Sequence, residues 1–228
     1  MQFSTIFLTT VLSVLGKGVS ATDSQTPICT PDLGTSIDEG FHARFYKYIY
    51  PEYAREMSDE DYITKGYKRD DRFITSKTGV SDVNFFHFYN LNPNGPTYGV
   101  VNGLNITTSN FTVEYSGWFV PKETGDHVFQ IGQTDDGTSI EIYDDNYSLC
   151  CGTIVHRTLI QSLQIYDNEY VKKQSVHLEA GVPYPMKIVY FNKDRVAIQD
   201  ISFVDPNGET HKNFDGFAKY YNDVKCHN

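Results

Sequence analysis

The stretch of sequence that decides the fold runs over 113–143 and reads VEYSGWFVPKETGDHVFQIGQTDDGTSIEIY. Its first part alternates, so Val113, Tyr115 and Gly117 are expected on one face of a β-strand. A Pro- and Gly-containing turn signal follows, then a second strand-like run, the pair Asp135-Asp136 and a third run. The block therefore predicts neighbouring β-strands joined by short connections.

Strand-like runs of this kind dominate the whole chain, and long amphipathic helix patterns are scarce. Tyr and Phe, which favour strands, are abundant at 17 and 15 residues. We predict an all-β sandwich or barrel with long loops, and a short helix or only loop near 54–61. The predicted strands are 41–50, 85–89, 111–120, 127–132, 139–143, 176–179, 184–192 and 199–205.

The N-terminal segment 1–21 is predicted to be a secretory signal peptide, which leaves 22–228 as a single domain. An apolar run over 6–15 precedes the small residues Val19-Ser20-Ala21, as in a signal peptide. The alternative is a buried N-terminal strand. The run is too short to span a bilayer, so no membrane insertion is expected. The net charge of −10 argues against nucleic-acid binding and against anionic lipid.

The four cysteines, Cys29, Cys150, Cys151 and Cys226, predict two disulfides in a secreted chain. Because Cys150 and Cys151 are adjacent, we expect them to pair with different partners, which ties each end of the domain to its middle. Cys29–Cys150 with Cys151–Cys226 is favoured, and the exchanged pairing remains open. Zinc binding by these cysteines is the weaker alternative, because the sequence has no C-x-x-C or H-x-x-x-H spacing.

The pair Asp135-Asp136 is the candidate metal site. It is predicted to lie in the connection between two strands, where Gly137 permits an unusual backbone. Calcium takes six to eight oxygen ligands, and adjacent carboxylates converge on one ion if the peptide between them is cis. The site would be completed by a second loop. The alternative is an ordinary Asp-Gly turn.

The same block resembles the PA14 domain. It carries the family's SGW strand, its P-x-E-T-G turn and its T-D-D-G sequence. The strand 40–46 resembles the first strand of the family, and 178–192 resembles its L-x-A-G-x-x-Y-P-x-x-I-x-Y-x-N segment. The resemblance covers about 38–205 and implies a PA14-type fold.

Within PA14 domains the chain is most similar to the yeast flocculin and epithelial-adhesin lectins, which share its cysteine arrangement. That resemblance implies a Ca²⁺ site in which Asp135 and Asp136 are joined by a cis peptide. Asn192 would be the third side-chain ligand, and Asp194 and Val196 would offer backbone carbonyls. Two hydroxyls of a terminal sugar would complete the coordination.

The resemblance also implies which residues select the sugar. Lys193 and Asp194 would point toward it, and Tyr166 and Tyr170, in a predicted loop over 156–171, would form a wall. The basic-then-acidic pair favours galactose- or N-acetylglucosamine-type ends over mannose. The expected partners are terminal sugars of cell-surface glycans or of cell-wall polysaccharide. Trp118 could stack on a sugar, but a strand tryptophan is more often core.

Other functional classes were weighed against a lectin. No G-x-S-x-G or comparable catalytic motif occurs, so the chain is not expected to be an enzyme. A PA14 module with a structural or protein-binding role, or an accessory carbohydrate-binding module of a glycosidase, remains open. We expect a monomeric, secreted adhesin head for cell adhesion or flocculation, on a fungal cell wall, with its stalk and anchor beyond Asn228. Three glycosylation sequons begin at Asn105, Asn110 and Asn146.

Overall fold

The computed structural model describes residues 30–35, 37–49, 57–87, 97–143, 157–165 and 171–227. Several predicted features lie outside these residues: the signal peptide over 1–21, Cys29, Asn146, Cys150, Cys151, Tyr166 and Tyr170. Cys226 is described through its backbone. The disulfides and the tyrosine wall therefore stay predictions.

The described residues form sixteen strands and three short helical turns. The helical turns are α1 (Asp59–Asp61), a π-helical turn (Tyr62–Gly66) and a 3-10 turn (Asp70–Arg72). The strands are β1 (Thr30–Asp32), β2 (Ile37–Glu39), β3 (Phe41–Lys47), β4 (Phe73–Val80), β5 (Phe85–His87), β6 (Tyr98–Val101), β7 (Leu104–Thr107), β8 (Phe111–Phe119), β9 (Gly125–Tyr143), β10 (Arg157–Ile165), β11 (Lys172–Leu178), β12 (Tyr184–Asn192), β13 (Ala197–Val204), β14 (Thr210–His211), β15 (Ala218–Tyr221) and β16 (Lys225–His227).

Strand β9 is the centre of the fold. Its first half pairs with β11 and β13, and its second half pairs with β10 and β12. From β12 the sheet continues through β8 to β3, β4 and β15. All these pairings are antiparallel, so the all-β prediction is confirmed. Among the described residues, no helix has the length and apolar character of a membrane span.

The two ends of the described chain meet. β1 pairs with β16, and in this register Pro31 lies opposite Cys226. The backbone that follows Cys29 is therefore next to the backbone that carries Cys226. Both predicted disulfides would draw these two ends toward the same adjacent cysteines.

Two predictions about individual elements were wrong. Residues 127–132 and 139–143 are not separate strands, because β9 runs without a break through Asp135 and Asp136. Its neighbours pair with it on both sides of this point, so the Asp-Gly sequence does not turn. Residues 157–165, predicted to be loop, form β10 and continue the sheet along the second half of β9.

The alternation of β8 predicted one buried face, but both faces are buried. Val113 and Tyr115 face the main core, as expected, and Thr112 and Glu114 are also shielded from solvent. The reason is the segment 57–68, which covers the second face. Tyr62 hydrogen-bonds Thr112 with an oxygen–oxygen distance of 2.6 Å, and Tyr67 donates to Glu114.

Two aromatic clusters hold the domain together. The main core is centred on Phe119, and Trp118 on the same strand is only 4% exposed, so its prediction as a core residue is confirmed. The second cluster packs the helical segment onto β12, with Phe191 5.2 Å from Tyr62 between ring centroids. This second cluster lies directly beneath the end of β12, where the candidate site begins.

Candidate calcium and sugar site

The acidic pair lies where β9 exchanges one neighbouring strand for another. Asp135 is opposite Ile198 of β13, whereas Gly137 is opposite Phe191 of β12. The connection 193–196 joins these same two strands. It must therefore cross the point at which they part, next to Asp135 and Asp136.

The backbone around the pair is held by two hydrogen bonds. The peptide between Asp135 and Asp136 is cis, as the resemblance implied, so that expectation is confirmed. The Tyr190 hydroxyl donates to the carbonyl of Asp135, and the amide of Lys193 donates to Asp136 Oδ2 at 2.6 Å. Each aspartate is 7% exposed. The connection after β12 is thus fastened directly to the acidic pair.

Asn192, the predicted third ligand, is fully buried at the end of β12. Its Nδ2 donates to the carbonyl of Thr108 at 2.8 Å, which fixes the orientation of the amide. Its Oδ1 has no hydrogen-bond partner among the described residues. A buried carbonyl left unsatisfied costs about 1–3 kcal/mol, so such an atom calls for a partner.

A calcium ion fits this arrangement of donors. Asp135, Asp136 and Asn192 offer carboxylate and amide oxygens, the hard ligands that calcium prefers. The unsatisfied Oδ1 of Asn192 is an oxygen that such an ion would use. The two carboxylates would balance the charge of a divalent cation.

A layer of polar side chains behind the pair was missed by the sequence analysis. Thr134 and Thr138 share a hydrogen bond of 2.7 Å across the acidic pair, and Thr138 donates to Gln199 Oε1 at 3.3 Å. Gln199 Nε2 in turn donates to the Val83 carbonyl at 2.6 Å. The sequence could not predict these contacts, because Gln199 and Val83 are distant from Thr138 along the chain. Its only signal was the run of polar residues around the acidic pair. This layer ties β9 to β13.

Lys193 makes a contact that the sequence analysis did not anticipate. Its Nζ lies 2.6 Å from Asp59 Oδ2 and 5.7 Å from the ring centroid of Phe191. Asp59 belongs to the charged segment that had been assigned to helix or loop. The ammonium group is therefore held by a carboxylate of α1, and its reach toward a sugar stays a prediction.

The outer part of the connection 193–196 is open to solvent. The Asp194 side chain is 74% exposed, and its Oδ2 lies 3.9 Å from Arg195 Nε. Arg195 adopts a left-handed backbone with φ of 59°, which turns the chain back toward β13 through the half-buried Val196. This connection presents polar groups next to the buried pair.

The strands that flank the predicted tyrosine wall in the sequence end near the acidic pair. Tyr166 and Tyr170 belong to 166–170, between β10 and β11. The last pair of β10 is Ile165 with Thr134, and the first pair of β11 is Lys172 with Ile131. The ends of both strands therefore meet β9 within four residues of Asp135.

Gly137 is required for close packing and not for an unusual backbone. The predicted special conformation is wrong, because Gly137 does not adopt a positive φ. An added Cβ would lie 2.5 Å from Cε1 of Phe191 and 2.8 Å from Cδ2 of Leu163. The glycine thus lets β12 and β10 approach β9 beside the acidic pair.

We expect Gly137→Ala to destabilise the domain by about 1–3 kcal/mol, because the methyl group must push aside packed side chains. Displacement of Phe191 should also move Asn192 and weaken calcium binding. Chemical denaturation and calcium titration measure the two effects. Gly181→Ala separates backbone strain from crowding, because its φ is +75° and its Cβ would meet nothing within 4 Å, so it should lose stability but keep its calcium affinity. Unchanged stability and calcium affinity in Gly137→Ala would contradict this account of the packing.

The chain is similar to one protein family and to several curated proteins. Residues 111–205 match the GLEYA domain family. The chain is 29% identical over 130 residues to flocculation protein FLO10 of Saccharomyces cerevisiae, a match that covers 53% of this chain and 11% of that protein. The chain thus spans about a tenth of the length of the curated relatives it matches.

Solved structures share the fold at low sequence identity. The A domain of epithelial adhesin 9 from Candida glabrata, in complex with Galβ1-4GlcNAc, matches with a TM-score of 0.67 and 23% identity, covering 86% of this chain and 94% of that one. The A domain of epithelial adhesin 6 from the same organism, in complex with Galβ1-3GlcNAc, matches with a TM-score of 0.68 and 21% identity, covering 87% and 94%. The PA14 domain of the MpAFP antifreeze protein matches with a TM-score of 0.51 and 11% identity, covering 82% and 93%.

The curled antiparallel sheet, with its acidic pair on the central strand, has a PA14-type fold. Over 111–205 the chain is similar to the GLEYA domain, and its similarity to yeast flocculation proteins covers about half of its length.

Proposed function

We propose that this domain is a calcium-dependent lectin that binds terminal hexoses of glycans. The observation that carries the proposal is the unsatisfied Oδ1 of Asn192, buried beside an acidic pair to which the next residue, Lys193, is hydrogen-bonded. Asp135 and Asp136 on β9 and Asn192 at the end of β12 would together supply oxygen ligands from two separate strands. The similarity to flocculation proteins and the fold shared with epithelial adhesin domains support this function.

The proposed site has two parts, the residues that hold the calcium ion and the residues that select the sugar. Asp135, Asp136 and Asn192 would hold the calcium ion, and the carbonyls of Asp194 and Val196 would complete the protein ligands. Five such oxygens leave room for two more in a seven-coordinate shell, which suits calcium. A bound calcium ion would be coordinated by the oxygens of two sugar hydroxyls. The protein selects the sugar through the groups around it, without any catalytic step.

We propose galactose- or N-acetylglucosamine-type ends as the preferred ligands. The two epithelial adhesin domains with the same fold were solved with Galβ1-3GlcNAc and Galβ1-4GlcNAc. In this chain Lys193, Asp194 and the exposed Arg195 lie beside the acidic pair. Tyr166 and Tyr170 would form the opposite wall from the connection between β10 and β11.

The biological setting that fits this site is adhesion at a cell surface. A monomeric head of this kind, secreted and displayed on a fungal cell wall, would meet cell-surface glycans or cell-wall polysaccharide. A single monosaccharide contact is weak, but many copies on one surface raise the effective concentration of binding sites. The same feature would support both adhesion to other cells and flocculation.

A glycan array tests the proposal directly. In calcium we expect signals for galactose- and N-acetylglucosamine-terminated glycans, and we expect them to vanish in EDTA and return when calcium is restored. Sugar binding that survives chelation would overturn calcium dependence. Calcium binding without any sugar signal would instead favour a PA14 module with a structural or protein-binding role.

A further inference from the structure

A second cluster of metal-ligating side chains lies at the opposite end of the β9–β13 ladder. Asp205 directly follows β13, Glu209 lies in the turn after it, and His211 is on β14. One ligand atom from each of these residues lies within 4.8 Å of the others. Asp135 pairs with Ile198, whereas this end of the ladder begins at Val128. The seven-residue separation along β9 puts about 23 Å between the two places.

The Asp205 carboxylate is oriented by its own turn. Its Oδ1 accepts hydrogen bonds from the amides of Asn207 and Glu209 at 3.0 and 2.9 Å. Its Oδ2 is hydrogen-bonded to His211 Nε2 at 3.0 Å, where a metal ion would take the place of the shared proton. The two amide hydrogen bonds fix the orientation of the carboxylate, as the hydrogen bonds around a metal ligand commonly do.

The His211 ring is equally constrained. It stacks on Phe203 with 4.7 Å between centroids and meets Phe217 edge-on at 4.9 Å. Its side chain is 18% exposed and that of Asp205 is 12% exposed. Two ligands of one tetrahedral zinc ion lie about 3.3 Å apart at ordinary zinc–ligand distances, close to the nitrogen–oxygen separation found here.

A buried histidine on the same wall has one ring nitrogen without a partner among the described residues. His127 of β9 is fully buried, and its Nδ1 lies 3.1 Å from the carbonyl of Gly125. Its Nε2 has no hydrogen-bond partner among the described residues. Donation from Nδ1 makes Nε2 the atom with the free lone pair. Burial lowers the pKa of His127, which favours this neutral ring.

These groups line one cavity of about 360 Å³ with an acidic wall. Among the described residues that form it, four carboxylates face a single ammonium group, and that ammonium, Lys122 Nζ, lies 4.1 Å over the Phe217 ring. The cavity is lined by Lys122, Glu123, His127, Asp205, Asn207, Glu209, His211, Asp215 and Phe217. The balance of charge favours a bound cation.

We propose that Asp205, Glu209 and His211 form a second metal site, for a divalent transition metal such as zinc. His127 would contact the ion through a metal-bound water. Imidazole together with carboxylates is a ligand set that suits zinc, whereas the all-oxygen site at Asp135 suits calcium. Bound metal would fasten the β13–β14 turn to the start of β9. It would stabilise the domain without touching the sugar site.

Zinc titration of the tag-free, folded chain in saturating calcium tests the proposal. We expect one zinc per chain by calorimetry and a rise in melting temperature on zinc addition. His211→Ala and Glu209→Gln should each lower zinc affinity by at least about tenfold. Glu209 is exposed, so Glu209→Gln should fold normally even if His211→Ala does not.

His177→Ala is the matched control, because His177 is an exposed histidine paired with Asp126 at 2.8 Å outside the cluster. It should bind zinc as the unmodified chain does. Galactoside binding in calcium should be the same in all variants, which separates this site from the lectin site. The proposal is overturned if the unmodified chain binds no zinc, or if Glu209→Gln and His211→Ala bind it unchanged.

Discussion

Asp136→Asn should abolish calcium-dependent sugar binding while leaving the domain folded. The substitution removes one of the two charges that balance calcium, yet it keeps an oxygen that can accept the hydrogen bond from the Lys193 amide. Partners in the outer shell of a metal site contribute about 10–100-fold to metal affinity, so loss of a charged ligand should weaken calcium binding by at least about 100-fold. Calorimetric titration of calcium, followed by galactoside, measures both steps.

The control for this variant is Asp126→Asn, the same change near the start of the same strand. Asp126 is 70% exposed and pairs with His177, so calcium and sugar binding should be unaffected. Stability is best compared in EDTA, where the metal contributes nothing. There, Asp136→Asn and the unmodified chain should unfold within about 1 kcal/mol of each other. Full sugar binding by Asp136→Asn would refute the assignment of the site.

Phe119→Ala should produce the largest loss of stability, about 3–5 kcal/mol. Phe119 is fully buried on β8, with ring centroids 5.2 Å from Phe129 and Phe203 and 5.7 Å from Phe217. Its removal leaves a cavity among rings from three other segments, which cannot all collapse into it. For a chain of this size the melting temperature should fall by roughly 6–20 °C.

Phe86→Ala provides the matched control for the core variant. Phe86 is 62% exposed on β5, so the same truncation removes little buried surface. We expect a change within about 0.5 kcal/mol. Equal losses in the two variants, measured by thermal and chemical unfolding, would show that the Phe119 cluster is not the centre of the core.

Local patterns predicted most strands, because alternation and aromatic content report directly on pleated, buried structure. β12 was predicted over its full length, 184–192. The failure at Asp135-Asp136 has a physical cause. An Asp-Gly sequence ordinarily indicates a turn, but the pairing of β10, β12 and β13 along β9 keeps this one extended.

The sequence predicted the residues of the site but not the contacts that orient them. Asp135, Asp136 and Asn192 were identified through resemblance to a family, and in the structure Asp136 accepts a hydrogen bond from Lys193, the residue after Asn192. The contacts that orient them come from distant segments: Thr108 holds Asn192, Tyr190 holds Asp135, and Asp59 holds Lys193. No local pattern encodes such long-range pairings. The cluster at Asp205 was missed because its residues looked like an ordinary polar turn.

The central claim is that Asp135, Asp136 and Asn192 hold a calcium ion that binds the sugar. Diffraction from crystals grown with calcium and a galactoside, recorded with anomalous signal, tests it most directly. We expect one strong peak about 2.3–2.6 Å from oxygens of all three residues, with two sugar hydroxyls in its coordination shell. A calcium peak elsewhere, or a galactoside bound away from the ion, would contradict the account.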